Sequence, residues 1–392
     1  MSQAEPFVAE GFGVVADAFR RNFTECGEDA AAVAVFHRGT KVVDLWAGTD
    51  VVNDRPMPDD ALMMVASCTK GITATVLAML VERGDLDPDE RVATWWPEFA
   101  AAGKDEVTLG MVASHTAGLP YPPLGTGLSG LDLHRGPAVT AALAGAAPLW
   151  EPGTAMAYHP VTFGTLLDEI VRRATGRSIG QHVRTLVAEP LGVDLWIGLP
   201  EKEIPRVVPG VWEAVDPMQP VDDEQPEPGT YAALRQDFLR ENGPMDPDFA
   251  DGEQVRAFYA AERPAVGGIT DARALATMYA ALLGPVGGVR LIEQSTLDEV
   301  TRPRTDDVTT LIESGTAGPD IRFGLGYQLA SPSMPGFGPR SFGHTGAGGR
   351  LGIADPDHDV SFGYICSRMK NIGAGGDPRW RNLIDAVKAS LA

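Results

Sequence analysis

The chain has 392 residues, 44% hydrophobic and 22% charged, which allows a large core and excludes a disordered protein. Acidic residues outnumber basic ones 53 to 32, and the net charge of −21 repels nucleic acid and anionic membranes. Three scattered cysteines (Cys26, Cys68, Cys366), no run of about 20 apolar residues and no apolar leader in the first residues suggest reduced thiols in a cytoplasmic protein.

Phe7 to Phe23 carries apolar residues at helical spacing and predicts an N-terminal helix. Ala31 to Phe36 and Lys41 to Ala47 are β-rich runs joined by a turn at His37-Arg38-Gly39-Thr40, which predicts a hairpin. Next comes Ser67-Cys68-Thr69-Lys70 at the mouth of a helical run whose Ile72, Val76, Leu77, Leu80 and Val81 mark a packed face. This spacing puts Ser67 and Lys70 one turn apart on one face. There the amine can take the hydroxyl proton if burial keeps it partly neutral. The Ser67 N–H, at a helix N-terminus, suits an oxyanion. Cys68 points about 100° away and reads as a small packed residue. A second Ser-x-x-Lys, Ser367 to Lys370, follows a strand-like run into the glycine-rich stretch 373–376, with no helix to align it, and reads as coincidence.

Val107 to Pro120 predicts a helix capped by Thr108 and ended at Gly118 and Pro120. His115 within it reads as a catalytic group or as a histidine bonding backbone, the second preferred. Gly125-Thr126-Gly127-Leu128-Ser129-Gly130 matches G-x-G-x-x-G but lacks the strand–turn–helix setting of a nucleotide site. A turn at residues 149–154 delivers Tyr158-His159-Pro160 to a helix with an apolar stripe from Phe163 to Val171. Tyr158 is there a packed aromatic or a phenol able to share protons, the first preferred from the residues alone. The span from about 205 to 264 is rich in Pro, Asp and Glu and reads as a lid shaping the substrate entrance. Val266 to Asp271 leads into a helix over 272–283, with Thr270 or Asp271 as N-cap. Short strands follow: Gly324–Leu329, one ending at Arg340–Gly349, and a hairpin of Leu351–Ala354 with Val360–Cys366. A helix over 380–391 closes the chain. The expected fold is α+β: an antiparallel sheet built from both chain ends and flanked by the terminal helices. A mostly helical lobe is inserted in it, the whole being one domain with a sheet lobe at about 1–66 and 265–392 and a helical and lid lobe at about 67–264.

Several segments together resemble the serine β-lactamase-like family of class C β-lactamases, DD-peptidases and family VIII carboxylesterases. They are Ser67-x-x-Lys70, Leu109-x-x-x-x-Ser114-His115-Thr116-Ala117-Gly118-Leu119-Pro120, Glu151-Pro152-Gly153-Thr154 before Tyr158, Gly267-Gly268-Ile269-Thr270 and His344-Thr345-Gly346. The resemblance implies Ser67 as acyl-accepting nucleophile, Lys70 as its proton acceptor and Tyr158 as proton shuttle. It also implies an oxyanion hole from the Ser67 and Ala347 N–H groups, and a wall of His344, Thr345 and Gly346, with His159 beside Tyr158, facing the substrate. Two positions depart from the β-lactamase and penicillin-binding pattern. Pro160 replaces an Asn, and His344 replaces a Lys, so an amide contact and a fixed positive charge are lost.

These departures favour neutral esters. The first reading is a carboxylesterase working through an acyl-enzyme on Ser67. The alternative passes the acyl group to an alcohol or amine, as an acyltransferase or amidase, with β-lactamase or D-peptidase action ranked behind both. A retired hydrolase serving as a binding protein predicts the loss of a catalytic position, yet Ser67, Lys70 and Tyr158 are all present. No cofactor or metal is expected: the seven histidines form no H-E-x-x-H and the cysteines no C-x-x-C. No G-x-S-x-G elbow marks an α/β-hydrolase.

Overall fold

The computed structural model describes residues 5–213, 226–227, 230–242, 251–311, 321–371 and 376–392. Parts of the expected lid (214–225, 228–229 and 243–250) and the glycine-rich residues 373–375 lie outside them. The main sheet draws its strands from both ends of the chain. They are β1 (Phe7–Val8), β2 (Ala30–His37), β3 (Thr40–Asp50), β4 (Arg322–Phe323), β5 (Gln328–Leu329), β6 (Phe342–Gly346), β7 (Arg350–Asp355) and β8 (Val360–Cys366). Their order is β1-β3-β2-β8-β7-β6-β5-β4, antiparallel throughout, with a short Arg55–Pro56 strand added beside β3.

Alternation along β2 explains the layers. Ala31, Val33 and Val35 face one core, where α1 (Gly13–Glu25) and α7 (Pro378–Leu391) cover the sheet through Val15, Phe19, Trp380 and Leu383. Ala30, Ala32, Ala34 and Phe36 face the other core, shared with α2 (Cys68–Glu82) and α6 (Ala272–Leu283). The small alanines let α6 lie close against the strands. Asp271 caps α6 by accepting from the Ala274 N–H, as its position predicts.

Three elements differ from expectation. Phe7–Val8 is an edge strand paired with β3, and the N-terminal helix begins only at Gly13. The helix capped by Thr108, α3 (Leu109–Ala113), stops five residues before Gly118, because His115 takes the left-handed conformation, φ +65. Residues 324–329 form no single strand: Gly326, at φ +81, turns the chain between β4 and β5. Helix α2 also departs from an amphipathic pattern, since every residue from Cys68 to Leu80 is buried. A helix enclosed on all sides must satisfy its own polar side chains, and that requirement builds the site.

Candidate active site

Ser67 stands at the start of α2, directly after Ala66, whose φ of +46 turns the chain into the helix. The hydroxyl side remains half-buried, while Lys70, one turn on, is fully buried. The polar residues of this face stitch α2 to residues 264–268. Thr73 Oγ1 donates to the Pro264 carbonyl at 2.7 Å, Lys70 Nζ to that of Ala265 at 3.0 Å, and Thr69 Oγ1 accepts from the Gly268 N–H at 2.8 Å. Lys70 Nζ also donates to the Pro160 carbonyl at 3.0 Å, tying the segment that carries Tyr158 to the same helix.

Among the described residues Lys70 has only carbonyls for hydrogen-bond partners. Burial pushes its amine well below the ordinary lysine range, and no carboxylate is among the charges acting on it. Its Nζ lies 4.7 Å from the centre of the Tyr158 ring. Tyr158 is held just ahead of α4 (Thr162–Thr175), with its phenol near enough to Ser67 for the two to interact. Burial raises the Tyr158 pKa, an interaction with Ser67 opposing the shift. Both groups are therefore driven to their neutral forms, amine and phenol. Among the described residues no hydrogen bond joins Ser67 to Lys70, whose amine is bonded to carbonyls instead, a difference from the direct serine–lysine contact that helical spacing suggests.

The opposite wall is β6. Cys68 Sγ lies 3.2 Å from the His344 carbonyl, and its thiol is pushed up to about 12 by burial, in keeping with a packing residue. Gly346 permits the approach of β6 to α2: a Cβ there would sit 2.4 Å from the Val65 carbonyl oxygen and 3.0 Å from Cys68 Sγ. Beyond it the chain turns, Gly349 N–H to Gly346 carbonyl, and leaves Ala347 exposed. Neither the Ser67 nor the Ala347 N–H donates a backbone hydrogen bond within the described residues. Arg350 holds the Ala347 carbonyl at 2.7 Å and Arg379 holds that of Gly348 at 2.7 Å, so two buried guanidinium groups fix this turn from behind.

His344 is buried and neutral. Its pKa falls to about 3, first through burial and then through Lys70. Nδ1 bonds the Thr345 carbonyl, and Nε2 has no partner among the described residues. The histidine thus supplies an acceptor where a lysine would supply a cation. Thr345 is held by Gln328, whose Oε1 accepts from its N–H and its hydroxyl. Tyr158, His344 and Phe323 form an aromatic wall with ring centres 6.0 to 6.2 Å apart.

His159 corrects an expectation. It is fully buried, its Nε2 accepts from the Leu119 N–H at 3.2 Å and its Nδ1 bonds the Ala157 carbonyl at 2.6 Å, which leaves neither nitrogen for a substrate. His115 bonds backbone as preferred from sequence: its Nδ1 accepts from the His159 N–H at 3.1 Å. Its ring fills the space between Tyr158, Phe163 and Phe323. Phe323, Gln328 and Tyr231 had no signal in the sequence: the first two lie on two-residue strands and Tyr231 opens a helix, all far along the chain from Tyr158. The second Ser-x-x-Lys is structural: Ser367 is buried and its Oγ accepts from the Ala30 N–H. The G-x-G-x-x-G stretch runs into a four-residue 3-10 turn at Gly130–Leu133. A cavity of about 730 Å³ lined by Trp96, His134, Asp168 and Glu262, among others, includes none of the residues placed around Ser67.

An antiparallel sheet closed by the terminal helices, with a buried Ser-x-x-Lys helix between it and a helical region, defines the β-lactamase-like class of proteins. The β-lactamase family model matches residues 16–386, and the chain belongs to that family. It is 33% identical over 372 residues to the esterase/β-lactamase LipL of Mycobacterium tuberculosis (strain ATCC 25618 / H37Rv), covering 91% of this chain and 81% of that one. Two solved structures cover 100% of both chains: a family VIII carboxylesterase (33% identity, TM-score 0.82) and a penicillin-binding protein homologue from Caulobacter crescentus (34%, 0.83). Among the described residues no helix is long and apolar enough to cross a membrane.

Proposed function

We propose that this chain is a serine carboxylesterase that cleaves small neutral esters through an acyl-enzyme on Ser67. The observation that carries the reading is the placement of the buried Lys70 amine, bonded among the described residues to two carbonyls, 4.7 Å from the ring of Tyr158, whose phenol interacts with Ser67. Ser67 Oγ attacks the ester carbonyl as its proton passes to the Tyr158–Lys70 pair, which titrates as a unit. The tetrahedral oxyanion is met by the Ser67 and Ala347 N–H groups, each such donor being worth about 3 kcal/mol in the transition state. The C–O bond then breaks and the alcohol leaves with the proton held by the pair. Water repeats the sequence on the acyl-enzyme and frees the acid.

The preference for neutral substrates is supported by the walls. Pro160 has no side-chain donor and its carbonyl is already taken by Lys70, while His344 is neutral and surrounded by rings. The names of two similar proteins, an esterase/β-lactamase and a family VIII carboxylesterase, support the same chemistry. Three free thiols support a cytoplasmic setting.

The test is turnover of a panel of p-nitrophenyl esters beside a chromogenic cephalosporin, with and without alcohol or amine acceptors, together with labelling by a serine-directed phosphonate. Ester hydrolysis indifferent to acceptors, with label on Ser67, is expected. Acceptor-dependent product would instead make the chain an acyltransferase, and cephalosporin turnover alone would overturn the assignment.

A further inference from the structure

One peptide unit, between Tyr158 and His159, is gripped on both sides. Its N–H donates to His115 Nδ1 at 3.1 Å, and its carbonyl accepts from Tyr231 Oη at 2.7 Å. Tyr231 opens helix α5 (Tyr231–Asn242), within the span read from sequence as a lid. Its hydroxyl lies 3.3 Å from that of Tyr121, the two rings 5.9 Å apart. The helix is seated by buried Phe238 and Leu239 against Tyr121 and Leu133, and Glu241 accepts from the Gly125 N–H at 2.7 Å.

We propose that Tyr231 is a positioning residue for Tyr158, and that docking of α5 on the loop after Tyr121 sets the aim of the phenol at Ser67. The inference rests on the reading above, in which Tyr158 shares the proton of Ser67. The physical reason is geometric. A peptide held at its N–H alone can rock about that bond, and the rotation is passed to the Cα of Tyr158. A second bond at the carbonyl removes that freedom. Small misplacements of a proton-transferring group lower turnover steeply. The partner is an ordinary phenol, so it acts only when α5 is seated, and the site thereby senses the covering helix.

Tyr231→Phe removes the hydroxyl while keeping the ring against Tyr121. With a p-nitrophenyl ester, kcat is expected to fall about five- to tenfold while KM stays within twofold. The acid limb of the pH profile is expected to shift, because the Tyr158–Lys70 pair is disturbed; a merely structural role would lower the melting temperature without moving that limb. Tyr121→Phe, which leaves Tyr231 in place but without its neighbour, is expected to lower kcat less. The double variant should match Tyr231→Phe alone, since both act through one bond. Should Tyr231→Phe fail to fold, Tyr121→Phe carries the same test on kcat and the acid limb. Variants with wild-type kcat and pH profile, in a protein that hydrolyses esters and is labelled at Ser67, overturn this inference alone. A wild-type chain that neither turns over esters nor labels at Ser67 overturns the proposed function and this inference with it.

Discussion

Lys70 Nζ and the Tyr158 ring centre are 4.7 Å apart, and burial drives the lysine pKa down and the tyrosine pKa up. The two shifts act in the same sense: burial favours an uncharged amine beside an uncharged phenol, and Ser67 interacts with the latter.

The pH profile follows. Protonating Lys70 removes the base, so kcat/KM should fall as pH drops through its lowered pKa. The plateau should therefore be reached well below the 10.5 of an ordinary lysine. Because Tyr158 is shifted upward, no alkaline limb from its phenol is expected near pH 10. Lys70→Arg, charged at every accessible pH, should be inactive throughout. Initial rates from pH 5 to 10 for both proteins check this, and a wild-type acid limb near pH 10 would contradict it.

Tyr158→Phe keeps the aromatic wall with Phe323 and His344 but removes the hydroxyl that faces Ser67 in the proposed reaction. A loss of about 10²- to 10⁴-fold in kcat is expected with the fold unchanged. Stopped-flow kinetics and a thermal melt separate the two effects.

Gly346→Ala forces a methyl group to within 2.4 Å of the Val65 carbonyl oxygen. Neither β6 nor the start of α2 can yield without moving a proposed oxyanion donor. A destabilisation of about 1–3 kcal/mol in urea unfolding should thus be accompanied by a fall in kcat. Full activity in this variant would show that the two elements are not in register with the reacting carbonyl.

Acid should unfold this protein through its histidines. His159 and His344 are held neutral, with pKa values of about 3 against 6.5 when exposed, and burial lowers those of His115 and His134 in the same direction. Between pH 6.5 and 3 the unfolded chain binds protons that the folded chain refuses, so stability falls as pH falls. Each fully neutral histidine adds a slope of up to about 1.4 kcal/mol per pH unit. Urea midpoints at pH 7.5, 6 and 5 measure the slope, and a flat response would contradict the burial of these rings as neutral groups.

Local chemistry made much of this legible. The hairpin of β2 and β3, the Thr108 and Asp271 caps and the helix behind Ser67 follow from period, turn residues and side-chain acceptors within a few positions of one another. Their sequence neighbours decide them. Ser67 and Lys70 stand one turn apart at a helix start, where their spacing draws notice, whereas only the family resemblance singles out Tyr158.

What the tertiary structure alone decided is the state of those groups. Enclosure of α2 on every face, not its sequence, strips water from Lys70 and leaves it two carbonyls, from Pro160 and Ala265, as partners. His159 looked available beside Tyr158, yet packing commits both its nitrogens to backbone. Phe323 and Tyr231 reach the site from residues more than 70 positions from Tyr158, through contacts that no local pattern encodes. Periodicity reports which face of an element is apolar; desolvation and hydrogen-bond partnership depend on what the rest of the chain lays against that face.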